Sequence, residues 1–128
     1  MKKIGFLIAT LGTICLTSCN TSIKTIGGLL NIKVNDVTSL EIVRISDDYH
    51  YEINLEKKDV FLESLFKIKV DTSQVCKCIG SQNVIVYTND NTYAINEFHT
   101  DTNTTSYHYT IKGGDLDNLI TQYVNNAL

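Results

Sequence analysis

The rhythm of apolar and polar positions changes several times along the chain, and each change predicts an element. Leu40, Ile42, Val43 and Ile45 suggest a first strand, with folding beginning near Val37, and Ser46-Asp47-Asp48 a turn. Tyr49 to Leu55 then alternates most cleanly: Tyr49, Tyr51, Ile53 and Leu55 share one face, while His50, Glu52 and Asn54 share the other. From Glu56 to Ile68 the period becomes helical, with Phe61, Leu62, Leu65 and Phe66 on one side and Lys57, Lys58, Glu63 and Lys67 on the wet side.

Val75 to Ile79 reads as a short strand. Val84 to Thr88 and Thr92 to Phe98 read as a hairpin across Asn89-Asp90-Asn91, residues that tolerate left-handed backbone. The stretch from His99 to Ser106 is polar enough to be a loop, and Tyr107 to Ile111 makes a further strand. Gly113-Gly114 breaks it, Asp115 caps a last helix, and Leu116, Leu119, Ile120, Tyr123 and Val124 form its apolar stripe. Strands interrupted by one helix and ended by another predict an α+β fold, an antiparallel sheet of about five to six strands with two helices packed on one face.

The beginning of the chain follows a different grammar. Lys2 and Lys3 precede an apolar run of about 13 residues from Ile4 to Leu16, and small residues then lead to Cys19. That run falls short of the roughly 20 residues that cross a hydrocarbon layer. Leu16-Thr17-Ser18-Cys19 resembles the lipobox of bacterial lipoproteins, a resemblance confined to this segment. It implies cleavage before Cys19, a diacylglyceryl group on its sulfur and a lipid-anchored, extracytoplasmic location at a cell membrane or outer membrane. The alternative is an ordinary secretory signal cut near Ser18. The domain organisation expected is a signal peptide over 1–18, a lipidated cysteine and tether over 19–36, and one small domain over 37–128. The Gly27-Gly28 pair and the few sustained patterns around it support the tether, and Leu29, Leu30 and Ile32 are residues able to dock on the domain.

Charge narrows the partners. The formal charge is -3, and loss of Lys2 and Lys3 with the signal leaves 9 basic against 14 acidic side chains. An acidic domain does not suit nucleic acid, whose phosphates demand a basic surface. The expected partners are the membrane, through the lipid, and an envelope protein.

Candidate chemistry centres on Cys76-Lys77-Cys78. Residues two apart in an extended strand have Cα atoms about 6.6 Å apart, so a disulfide there needs a bulge or turn, which Gly80 nearby permits. Four readings stay open: a structural disulfide, two buried thiols, metal ligation, or redox work. The chain offers three imidazoles, His50, His99 and His108, none at a zinc-finger spacing from the cysteines. Tyr49-His50-Tyr51 and Tyr107-His108-Tyr109 echo each other. If those two strands lie side by side, His50 and His108 meet on the open sheet face beside Glu52, and with Cys76 and Cys78 they make up the candidate metal ligands.

No nucleophile elbow, HExxH pair, phosphate loop or dinucleotide glycine pattern occurs in the sequence. The expectation is a non-enzymatic binding module without a cofactor beyond its lipid, with Tyr87, Tyr93, Tyr107 and Tyr109 as candidate anchors where exposed. The alternative is a metal or redox lipoprotein built on Cys76, Cys78 and the histidines.

Overall fold

The computed structural model describes residues 23–51, 53, 55–73, 76, 78–112 and 114–124. The lipobox and Cys19 lie outside that set, as do Glu52 and Lys77. Strands β1 (Ile23–Thr25), β4 (Lys69–Asp71) and β9 (Thr110–Ile111) form one antiparallel sheet with β4 in the middle. Strands β2 (Val37–Arg44), β3 (Tyr49–Tyr51), β5 (Gln82–Thr88), β6 (Thr92–Ile95), β7 (His99–Asp101) and β8 (Ser106–His108) form a second, antiparallel throughout, in the order β3-β2-β5-β6-β7-β8. Among the described residues, three α-helices complete the fold: α1 (Ile26–Leu30), α2 (Leu55–Lys67) and α3 (Asp115–Val124). It is α+β, as the alternation of patterns predicts.

One core joins these parts. Period-two alternation sends Ile42 from β2, Val84 and Val86 from β5, and Tyr93 and Ile95 from β6 to the inner face of the large sheet. Phe61, Leu62 and Leu65 of α2 and Leu116 of α3 meet them without solvent exposure. Each side chain so buried contributes about 1.5–3 kcal/mol. The small sheet adds Val70 and Ile111 to the same core. Both sheets thus turn one face to a shared interior and the other to solvent. Among the described residues, no helix is long and apolar enough to cross a membrane.

Several expectations change. The segment read as a tether is folded from Ile23 onward: β1 pairs with β4, and Ile26 of α1 is fully buried. Gly27 and Gly28 lie not in a tether but in the first turn of α1. Thr25 caps it, its hydroxyl accepting from the Gly28 amide at 3.0 Å, and Asn31 ends it with a left-handed φ of 54°. Glycine is required at 27 by proximity, because a Cβ there would meet the Phe66 Cβ at 2.9 Å. The backbone of Ile26 also donates to the Ile68 carbonyl at 3.0 Å, tying α1 to the end of α2.

The strand expected over Tyr49 to Leu55 is only three residues long, because α2 already begins at Leu55. Tyr107 to Ile111 is not one strand but two. β8 serves the large sheet and β9 the small one, and buried Tyr109 stands at the crossing. Asp115 does not cap α3 but begins it. The carbonyl of Gly114 accepts the Asn118 amide at 2.8 Å, and the φ of Gly114, 88°, is one that glycine adopts without strain.

Candidate functional site

The polar stretch expected to be a loop is a hairpin, and it builds the site. Thr102 and Thr105 close its turn: the Thr102 amide donates to the Thr105 carbonyl at 2.8 Å, and the Thr102 hydroxyl accepts from the amide of Thr105 at 2.9 Å and of Thr104 at 3.2 Å. Local side-chain bonds of this kind fold threonine-rich chain without any apolar alternation. Across the pair, the Ser106 hydroxyl donates to Asp101 at 2.6 Å. The resulting register sets His99 directly opposite His108, with ring centres 6.3 Å apart on the solvent face.

A buried asparagine fixes the start of β7. Asn96 is 1% exposed, and its Oδ1 accepts from the amides of Phe98 at 2.8 Å and His99 at 3.1 Å. Its Nδ2 lies 3.2 Å from His99 Nε2, while Asp101 Oδ2 lies 3.4 Å from the same nitrogen. An amide NH₂ only donates, so the contact with Asn96 needs Nε2 bare, whereas hydrogen bonding to the carboxylate needs it protonated. His99 therefore has one partner for each protonation state of that nitrogen. Beneath, Tyr109 bonds the Thr100 hydroxyl and donates to the Asn96 carbonyl at 3.0 Å. Burial pushes the Tyr109 phenol well above its ordinary pKa.

Cys76 and Cys78 come to this hairpin along a segment with no regular structure among its described residues, not the strand expected over Val75 to Ile79. Freed from strand geometry, their Cα atoms are 5.1 Å apart and their sulfurs are in bonding contact. That spacing is inside the range a disulfide spans, about 4.4–6.8 Å. Buried Gly80 seats the segment against Asn96, whose Cβ would stand 3.4 Å from any side-chain carbon added there. Cys76, Cys78 and Ile79 then line an open groove of about 430 Å³ with His99, Asp101, Ser106 and His108. Cys78 is exposed and Cys76 half-buried, while Ile79 is 78% exposed, the highest value among the large exposed apolar side chains described.

The expected ligand set of Cys76, Cys78, His50 and His108 is not assembled. β3 and β8 are the two opposite edges of the large sheet, with five strand spacings of roughly 4.8 Å each between them. His50 instead bonds the Glu41 carboxylate through Nδ1, and that carboxylate also accepts from Tyr87 Oη at 3.2 Å. His99, which the sequence did not single out for this set, occupies the place expected of His50. Reading 99–108 as a hairpin centred on Asn103-Thr104 would have paired it with His108. Among the described residues, no three or more His, Cys, Asp or Glu side chains are grouped to hold a metal ion.

The expected tyrosine anchors divide. Tyr93 and Tyr109 are buried in the core, while Tyr87 and Tyr107 are half-buried. Tyr49, at 49% exposure, is the most open of those described, and it packs edge-on against Tyr51 with ring centres 4.9 Å apart. A tyrosine-led contact surface is weakened accordingly, and the sulfur and histidine groove stands out instead. No family model, curated protein or solved structure matches the chain, so the reading of this groove rests on its own residues.

Proposed function

We propose that the chain is exported, lipidated on Cys19 and held at the outer face of a membrane, where its domain works as a non-enzymatic interaction module for an envelope protein. Cys76, Cys78, Ile79, His99 and His108 form the contact site. The observation that carries the site is Ile79: a large apolar side chain left 78% exposed beside two imidazoles and a pair of sulfurs. Apolar anchors rimmed by polar groups are what protein contacts use. The anchor rests on the lipobox, and the acidic balance of the mature chain argues against nucleic acid as the partner.

A photoreactive side chain at position 79 in living cells tests the site. The expected result is a discrete crosslinked envelope protein that is not captured from position 60, where Val60 is exposed on α2. Equal or absent capture from the two positions contradicts it.

A second reading has one observation in its favour, the contact between the two sulfurs beside His99 and His108. Such a pair can exchange with an external thiol or, once reduced, bind a soft metal ion through its thiolates. Thiol titration and metal analysis of protein purified from the envelope decide it. A reduced pair with stoichiometric metal, lost on Cys76→Ser and Cys78→Ser, favours this reading; an intact disulfide without metal removes metal ligation and leaves the interaction module.

A further inference from the structure

We infer that the solvent face of the β1-β4-β9 sheet is the surface the domain lays against the bilayer, with Ile23 at the headgroup level and Lys69 and Lys112 on anionic lipid headgroups. The inference rests on the lipid anchor at Cys19.

Its first support is length. Ile23 is already held in the fold, because Ile23, Lys24 and Thr25 pair with Asp71, Val70 and Lys69. Four residue steps separate Ile23 from Cys19. A chain spans at most about 3.3–3.6 Å per residue, which limits that reach to roughly 14 Å. The headgroup layer itself takes several Å on each side of the hydrocarbon. A tether over 20–36 would let the domain stand clear of the membrane in any orientation; four steps hold the edge strand β1 close to the lipid.

The second support is the chemistry of the face so held. Antiparallel register places Ile23, Thr25, Lys69 and Asp71 on the side away from the core, since their neighbour Val70 points inward at 1% exposure. Ile23 is 52% exposed, and with Lys69 and Lys112 it borders a shallow depression of about 350 Å³. Both lysines are exposed. The carboxylate of Asp71, also on this face, accepts from the amide of Ser73 at 3.0 Å and from its hydroxyl at 2.6 Å. A processed chain with more acids than bases thus turns a locally basic, apolar-centred face toward its anchor. Lysine ammonium groups within a Debye length of an anionic surface are drawn to it, and an apolar side chain between them can enter the interface. This placement leaves the groove of Cys76 and Cys78, on the solvent face of the other sheet, open to a partner.

The sequence contains no tryptophan, so a single Trp reports its own surroundings. Full-length lipidated protein carrying Ile23→Trp, and separately Tyr87→Trp on the solvent face of the large sheet, is reconstituted in vesicles of phosphatidylglycerol and brominated phosphatidylcholine. Intact mass establishes the diacylglyceryl group in each sample. The expected result is blue-shifted emission from Trp at 23 with most of its intensity quenched, little quenching at 87, and loss of the quenching at 23 in high salt or with Lys69→Glu and Lys112→Glu together. Lipidated protein with water-like emission at 23, equal quenching at both positions, or a blue shift accompanied by dimer formation without quenching overturns the orientation and leaves the anchor standing. A chain without lipid on Cys19 overturns the anchor, and the orientation with it.

Discussion

His99 and His108 face each other across the β7-β8 pair with ring centres 6.3 Å apart, beside the groove that Cys76 and Cys78 line. His108 is exposed on an edge strand, so the fold asks little of it. Its replacement by alanine is expected to change stability by no more than about 0.5 kcal/mol, as at other exposed positions. The same substitution should reduce partner capture from position 79. Denaturant titration beside the crosslinking yield checks both halves, and an unchanged yield would remove His108 from the contact site.

Gly27 belongs to the fold and not to a linker. Alanine there brings a carbon to 2.9 Å from the Phe66 Cβ, with the Phe66 carbonyl at 3.3 Å. The expected cost of Gly27→Ala is about 1–3 kcal/mol, as for other overpacked contacts. Gly28→Ala, whose added carbon would stand 3.0 Å from the Thr25 hydroxyl, is the informative companion, because it presses on a cap and not on the core. Urea midpoints of the two variants compare them, and a neutral Gly27→Ala would show that α1 does not pack as described.

The sequence made the long, periodic elements legible. Phe61, Leu62, Leu65 and Phe66 declare α2 by spacing alone, and Leu116, Leu119, Ile120 and Val124 declare α3; all eight are buried. The hairpin of β5 and β6 followed from alternation on both sides of Asn89-Asp90-Asn91. What escaped was held by other forces. β1 is too short to have a period, and the Gly27-Gly28 pair reads as tether until Phe66 is known to lie against Gly27. The β7-β8 hairpin is folded by hydroxyl bonds and by Thr100, a buried polar residue on its inner face, so hydropathy hides it. The echo of Tyr49-His50-Tyr51 in Tyr107-His108-Tyr109 puts His50 in β3 and His108 in β8, but nothing local encodes that these strands are the far edges of one sheet. Cys76 and Cys78 were visible as a pair, whereas His99 became their neighbour only through that hairpin.

Tyr109 gives the fold a pH signature. Its phenol is buried and donates to the Asn96 carbonyl, and burial holds its pKa above the ordinary value. The raised folded pKa means the native state keeps a proton that the unfolded chain releases near pH 10. Its contribution is therefore complete below pH 10 and declines as pH rises above it. Tyr109→Phe is expected to cost about 1–3 kcal/mol at neutral pH, because the Asn96 carbonyl loses a buried donor. It should also flatten the fall in stability above pH 10. Denaturant midpoints from pH 7 to 11 test this, and parallel declines in the two proteins would contradict it.

The mass of the chain recovered from membranes decides whether Cys19 carries the anchor. The expected species begins at Cys19 and carries a diacylglyceryl group on that sulfur, released from the membrane fraction only by detergent. A chain that retains Met1, bears an unmodified Cys19 and remains in the cytosol would contradict the anchor.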